Sequence, residues 1–117
     1  TVEVFLVLRP GGRFIVANVH PMKSSAPGWS KSPDWTKLHV PLDHYFDESE
    51  RRWTMLGVAF TNFHRSLATY INGFLEAGFA LEGMIEPTVT PEQRMRYSEL
   101  DDELRVLNFI SYRLKKP

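Results

Sequence analysis

The chain has 117 residues, 43% hydrophobic and 13% aromatic, with 14 Lys+Arg against 14 Asp+Glu, so it is one globular domain at most and not a disordered, collagenous or coiled-coil chain. Zero net charge argues against a nucleic-acid binder held by backbone phosphates, and the absence of cysteine excludes disulfide scaffolds, thiolate zinc sites and thiol nucleophiles while suiting a reducing cytoplasm. No apolar run approaches the ~20 residues of a membrane span, and no charged-then-apolar leader opens the chain, so a cytoplasmic protein without membrane or nucleic-acid partners is expected.

Thr1 is not an initiator methionine, and Val2 to Leu8 already reads as the back half of an apolar helix. A domain normally starts in an exposed polar stretch, so the chain is expected to be a piece of a larger domain. Arg9-Pro10-Gly11-Gly12 stops the helix with residues that cannot continue it. Arg13 to Val19, with an unbroken apolar centre and β-branched Ile15, Val16 and Val19, predicts a parallel strand covered on both faces. His20 to about Tyr45 is rich in Pro, Ser, Trp and Lys without a clear period, which predicts a long irregular insertion or lid.

Arg52 to Phe63 favours strand by its Val, Thr and aromatic content, with Gly57 as a bulge or bend. Ser66 is placed to cap a helix over Leu67 to Ala77, in which Leu67, Tyr70, Ile71, Phe74 and Leu75 share one face, and Gly78 supplies the stop. Phe79 to Glu86 reads as a strand. Pro91 opens a polar stretch to Arg105 with room for one or two short helices. Asn108 to Leu114 alternates as a strand with two unlike faces, and Lys115-Lys116-Pro117 reads as a solvated end. No internal repeat is visible.

Taken in order, Leu8-Arg9-Pro10-Gly11-Gly12-Arg13-Phe14, His20-Pro21, His64-Arg65 before the best helix, Ala77-Gly78-Phe79 after it, and Glu86-Pro87 closing the next strand resemble the C-terminal half of a class I S-adenosylmethionine-dependent methyltransferase. The resemblance covers nearly all 117 residues. It implies an α/β fold, the C-terminal part of a Rossmann-like sheet, with Phe14 to Val19 the family's fifth strand, Phe79 to Glu86 its sixth and Asn108 to Leu114 its seventh. The seventh would insert antiparallel, giving the order five, seven, six. It also implies S-adenosylmethionine as cofactor of the whole protein. The family's Gly-x-Gly-x-Gly turn is missing here, and Gly11-Gly12 belongs to the turn entering a strand, where no helix N-terminus waits to hold an anion. The cofactor-binding N-terminal half is therefore expected to lie outside residues 1–117, this segment to hold no cofactor residue, and the segment alone to be inactive.

Ligands of open α/β sheets collect at the carboxyl ends of parallel strands, where Asn18, His20 and Pro21 fall. His20 is a substrate-pocket residue and candidate general base, or else a structural histidine capping strand-end carbonyls. His64 and Arg65 are placed to meet a polar or anionic substrate, unless Arg65 simply pairs with a carboxylate such as Glu86. Tyr45 joins them on the acceptor side. Trp29, Trp35, Tyr45, Phe46 and Trp53 form either an apolar lid or the cover of a core edge. His20, His39, His44 and His64 include no pair at metal-binding helical spacing, so no metal is expected. Asp43, Asp47, Glu48 and Glu50 read as a solvated turn. These residues and the resemblance together predict a methyltransferase acting on a small molecule, set against a non-enzymatic interaction domain or inactive remnant that pairs with a partner chain. The strand edge left open by the missing half predicts a homodimer, or pairing with that half.

Overall fold

The structure, a computed structural model, describes residues 1–26 and 28–117; Pro27, inside the predicted insertion, lies outside the described residues. In chain order the elements are helix α1 (Val2–Val7), strand β1 (Arg13–Val19), helix α2 (Pro21–Ser24), strands β2 (Ser30–Lys31), β3 (Lys37–His39), β4 (Glu50–Met55) and β5 (Val58–Phe63), helix α3 (Leu67–Glu76), strand β6 (Ala80–Ile85), helix α4 (Pro91–Arg96), a 3-10 segment (Ser98–Leu104) and strand β7 (Phe109–Lys115).

The main sheet has the order β1-β7-β6, and β7 runs antiparallel to both neighbours. This is the expected order of five, seven, six with a reversed centre. The register sets Phe14 opposite Leu114, Val16 opposite Tyr112 and Asn18 opposite Ile110. Because side chains alternate along a strand, Ile110, Tyr112 and Leu114 all turn to one face, where they are fully buried. Phe74 of α3 and Phe79 complete that core, and Val4, Phe5 and Leu8 from the first helix region pack against it. Phe5 meets Phe79 edge to face at 5.0 Å.

α3 forms for the predicted reasons. The Ser66 side chain accepts from the Thr69 amide, which satisfies one of the helix's orphan donors. Leu67, Tyr70, Ile71 and Phe74 face the core, whereas Leu75 stays half exposed at the edge of the stripe. Gly78 follows at φ +103°, and a Cβ there would lie 2.8 Å from the Phe5 ring, so both the turn and the close approach of α1 require glycine. Thr90 and Gln93 close a capping box on α4.

The structure departs from four sequence readings. β1, expected as a parallel strand covered on both faces, pairs among the described residues only with antiparallel β7, and Ile15 is 60% exposed. Its apolar run reflects surfaces that nothing in residues 1–26 or 28–117 covers. Arg52 to Phe63 is not one strand but most of a hairpin, β4 paired with β5. Leu56 and Gly57 both have positive φ, the two-residue turn whose twist suits paired strands, so of the two readings of Gly57 the bend holds and the bulge does not. The His20 to Tyr45 stretch holds α2 and the β2/β3 ladder, elements too short to show a period. Lys116 is not simply solvated: its Nζ donates to Phe5 O at 2.7 Å and Leu8 O at 3.0 Å, capping the carbonyl end of α1 with positive charge.

The Tyr112 hydroxyl is buried without a hydrogen-bond partner. Burial pushes its phenol up to about 12, above the ordinary value near ~10. The folded state therefore prefers the neutral phenol, so this contribution is whole below pH ~10 and is lost as pH rises toward about 12, amounting to roughly 2–3 kcal/mol. Tyr112→Phe is expected to remove that alkaline loss. It should also raise stability at neutral pH by about 0.5–1.5 kcal/mol, because the deleted hydroxyl bonds to nothing. Urea melts at pH 7 and pH 11 check both effects.

Candidate functional site

The short helix α2 begins where β1 ends, and two buried histidines hold it. His20 is its N-cap: the ring Nδ1 accepts from the Met22 amide at 3.1 Å, and Pro21 occupies the first turn, where its missing N–H costs nothing. An Nδ1 that accepts leaves the hydrogen on Nε2, which donates to Glu86 Oε1 at 2.9 Å. The His20 amide donates to Asn108 O at 2.9 Å. His20 thus ties β1, α2, the residue after β6 and the residue before β7 into one junction, and neither ring nitrogen keeps a free lone pair. It caps a helix amide where a cap on strand-end carbonyls was one expectation.

His64 holds the other end of α2. Its Nδ1 lies 2.5 Å from Ser24 Oγ and its Nε2 lies 2.7 Å from Tyr45 O, and the side chain is fully buried. The Tyr45 ring stands 5.7 Å from the imidazole, and its hydroxyl accepts from the Leu67 amide at 2.8 Å. Arg65 pairs with Glu48 at 3.8 Å, not with Glu86, whose carboxylate His20 takes. Glu48 also accepts from Thr69 Oγ1 at 2.5 Å, so this carboxylate is part of the α3 junction and not of a plain solvated turn. Asn18 Oδ1 is buried with no partner. Of the predicted residues, Tyr45, His64 and Arg65 come together around the start of α3, and His20 reaches them only through α2.

A cavity of about 920 Å³ opens beside α2, lined among others by Lys23, Ser24, His44, Arg51 and Trp53. A second, of about 250 Å³, is walled by Met22, Val40, Leu42 and Leu107. The aromatic residues do not act as one lid. Trp29 stacks under Lys37 and Arg105, Trp35 under Lys31, and Trp53 against Phe60. Of the three tryptophans, Trp53 alone lines the larger cavity. Ser24 and Ser25 were missed by the sequence reading, and only their place one turn after His20-Pro21 signals that they sit on a capped helix.

The Gly11-Gly12 turn offers no cofactor cradle. The Gly11 amide donates to Lys116 O at 2.7 Å and the Gly12 amide to Arg9 O at 2.9 Å, so both serve the fold. The residues present do not make a site for S-adenosylmethionine at this turn. Among the described residues no group of three or more His, Cys, Asp or Glu is placed to share a metal ion, and no helix is long and apolar enough to cross a membrane.

The fold and the strand-end junction define part of a methyltransferase-type α/β sheet, and comparison with known proteins agrees. A Listeria monocytogenes structure, provisionally described as an S-adenosylmethionine-dependent methyltransferase, is 33% identical with a TM-score of 0.87, over 99% of this chain and 53% of that one. An S-adenosylmethionine-dependent methyltransferase from Mesorhizobium loti is 29% identical with a TM-score of 0.81, over 97% of this chain and 54% of that one. An uncharacterized protein of Haemophilus influenzae is 29% identical over 98 residues, which is 81% of this chain and 38% of that protein. No family model matches the chain. The chain spans about half the length of both solved structures, and the resemblance read from its motifs, to the C-terminal half of such a methyltransferase, is borne out.

Proposed function

We propose that the whole protein is an S-adenosylmethionine-dependent methyltransferase acting on a small molecule, and that this chain supplies its acceptor side. The observation that carries the reading is the TM-score of 0.87 at 33% identity over 99% of the chain. Asn18, Tyr45, His64 and Arg65 serve the acceptor, with His20 as the group that fixes α2 and Glu86 in place. What such a site contributes is mostly proximity and orientation of the acceptor atom. A cytoplasmic location accords with a chain free of cysteine.

The reading divides donor and acceptor between two halves, and calorimetry tests the division. Residues 1–117 alone are expected to show no micromolar binding of S-adenosylmethionine, because their glycine turn is spent on backbone bonds. The full-length protein is expected to bind it and to release S-adenosylhomocysteine when given an acceptor. Micromolar binding by residues 1–117 would overturn the division, and no binding by the full-length protein would overturn the function.

A further inference from the structure

Ser24 and His64 form a pair whose hydrogen bonds can be counted completely. A carbonyl only accepts, so the contact of 2.7 Å to Tyr45 O places a hydrogen on His64 Nε2. On the other side, Ser24 Oγ lies 2.5 Å from Nδ1 and 3.1 Å from Pro21 O. A hydroxyl has one hydrogen and two lone pairs, so two proton states fit the same atoms. In the first, Ser24 donates to a bare Nδ1. In the second, Nδ1 carries a hydrogen and donates to Oγ, while the Ser24 hydroxyl turns to donate to Pro21 O. No buried ring nitrogen or hydroxyl hydrogen is orphaned in either state, which avoids the main cost of moving a proton into a protein interior.

Ser24 is also the point where this pair meets the 920 Å³ cavity, whose wall it forms although the residue is only 6% exposed. The charged groups lining that space are Lys23, Arg51 and Arg52, against Asp43 and Glu50, with the His44 imidazole beside them. Arg51 donates through Nη2 to His44 O and Asp47 O, yet its buried Nε has no partner. The cavity wall therefore carries more cationic than anionic side chains, together with the aromatic Trp53. Around His64 itself stand the Tyr45 ring and the Arg65–Glu48 pair.

We propose that Ser24 and His64 are a proton relay serving this cavity, and that its ligand is a small molecule with an acidic hydroxyl on a flat conjugated frame, a phenol or an enol. The ligand's O–H bond breaks, its electron pair stays on the ligand oxygen, and the proton forms a new O–H bond at Ser24 Oγ. The original Ser24 hydrogen passes to His64 Nδ1. One proton has moved from ligand to imidazole, leaving an oxyanion among Lys23, Arg51 and Arg52 and a cation against the Tyr45 carbonyl. The proposal deepens the methyltransferase reading by naming its acceptor class, but the proton transfer itself does not depend on a methyl donor.

The test uses the full-length protein with 4-nitrophenol, whose ionised form absorbs visible light. Bound probe is expected to ionise about 1 pH unit below free probe. Ser24→Ala and His64→Gln, confirmed folded by circular dichroism, should lose the shift, and Ser24→Thr, which keeps a hydroxyl, should retain it. In the unmutated protein, a nitrogen-15 histidine spectrum should show a hydrogen added at His64 Nδ1 when probe binds at a pH where free probe is protonated. A shift that survives in both Ser24→Ala and His64→Gln, an Nδ1 signal unmoved by probe, or no shift in the unmutated protein would overturn the relay. None of these readouts involves S-adenosylmethionine, so failure of the relay and failure of the methyltransferase reading are separately visible.

Discussion

Phe74→Ala is expected to cost about 3–5 kcal/mol, the range for emptying a large aromatic site in a packed core. Phe74 is 5% exposed and belongs to the buried cluster that covers this face of the main sheet. Its ring meets Tyr112 edge to face at 5.1 Å and lies 6.4 Å from Tyr70. Neither neighbour relaxes easily into the space, because Tyr112 belongs to the central strand and Tyr70 to the helix fixed by the Ser66 cap. Among the described residues the five buried apolar side chains form one cluster, and no second core among them compensates. Denaturant melts check the value, and a loss below ~1 kcal/mol would mean the helix does not pack as described.

The parts legible in the sequence were those with strong local grammar. α3 shows a capping serine, a five-residue apolar stripe and a terminal glycine; the cap, the glycine and four of the five stripe residues take their expected roles, while Leu75 stays half exposed. β7 announced its two unlike faces, and alternate residues are indeed buried. The β4/β5 hairpin was misread because its turn is Leu56-Gly57, and leucine at positive φ is a residue no turn rule favours. At the site, His20-Pro21 and His64-Arg65 were visible as pairs, but not what their rings would touch. Ser24 meets His64 across 40 residues, and the capture of Glu86 by His20 spans 66. Contacts of that separation follow from where β1, α2 and β6 are laid down, not from any local pattern. β1 differs for another reason: its sequence describes a strand buried on both faces, and the described residues supply one face and one neighbour.

That mismatch predicts how the 117-residue chain behaves alone. One edge of β1 pairs with β7, and the other has no partner among the described residues. On the same side of the chain's sequence, Ile15 is 60% exposed and α1 shows Leu6 at 71% and Val7 at 82%. An open strand edge with apolar side chains is a template for pairing, and exposed apolar residues add a hydrophobic incentive of about 25 cal/mol per Å² covered. The resemblance read from the motifs implies a further strand beside this edge, and the chain spans about half of the solved structures it matches. Residues 1–117 are therefore expected to run as a dimer or larger aggregate in light scattering at micromolar concentration. If the whole protein is the methyltransferase proposed above, adding its remaining part is expected to convert the self-associated chain to a one-to-one complex. Ile15→Lys, which places a charge on the exposed face, should weaken self-association at least about tenfold, or ~1.4 kcal/mol. A monodisperse monomer from residues 1–117 would show that the exposed face of β1 is a solvated surface and not an interface, and would remove the physical reason for a second half to pack there.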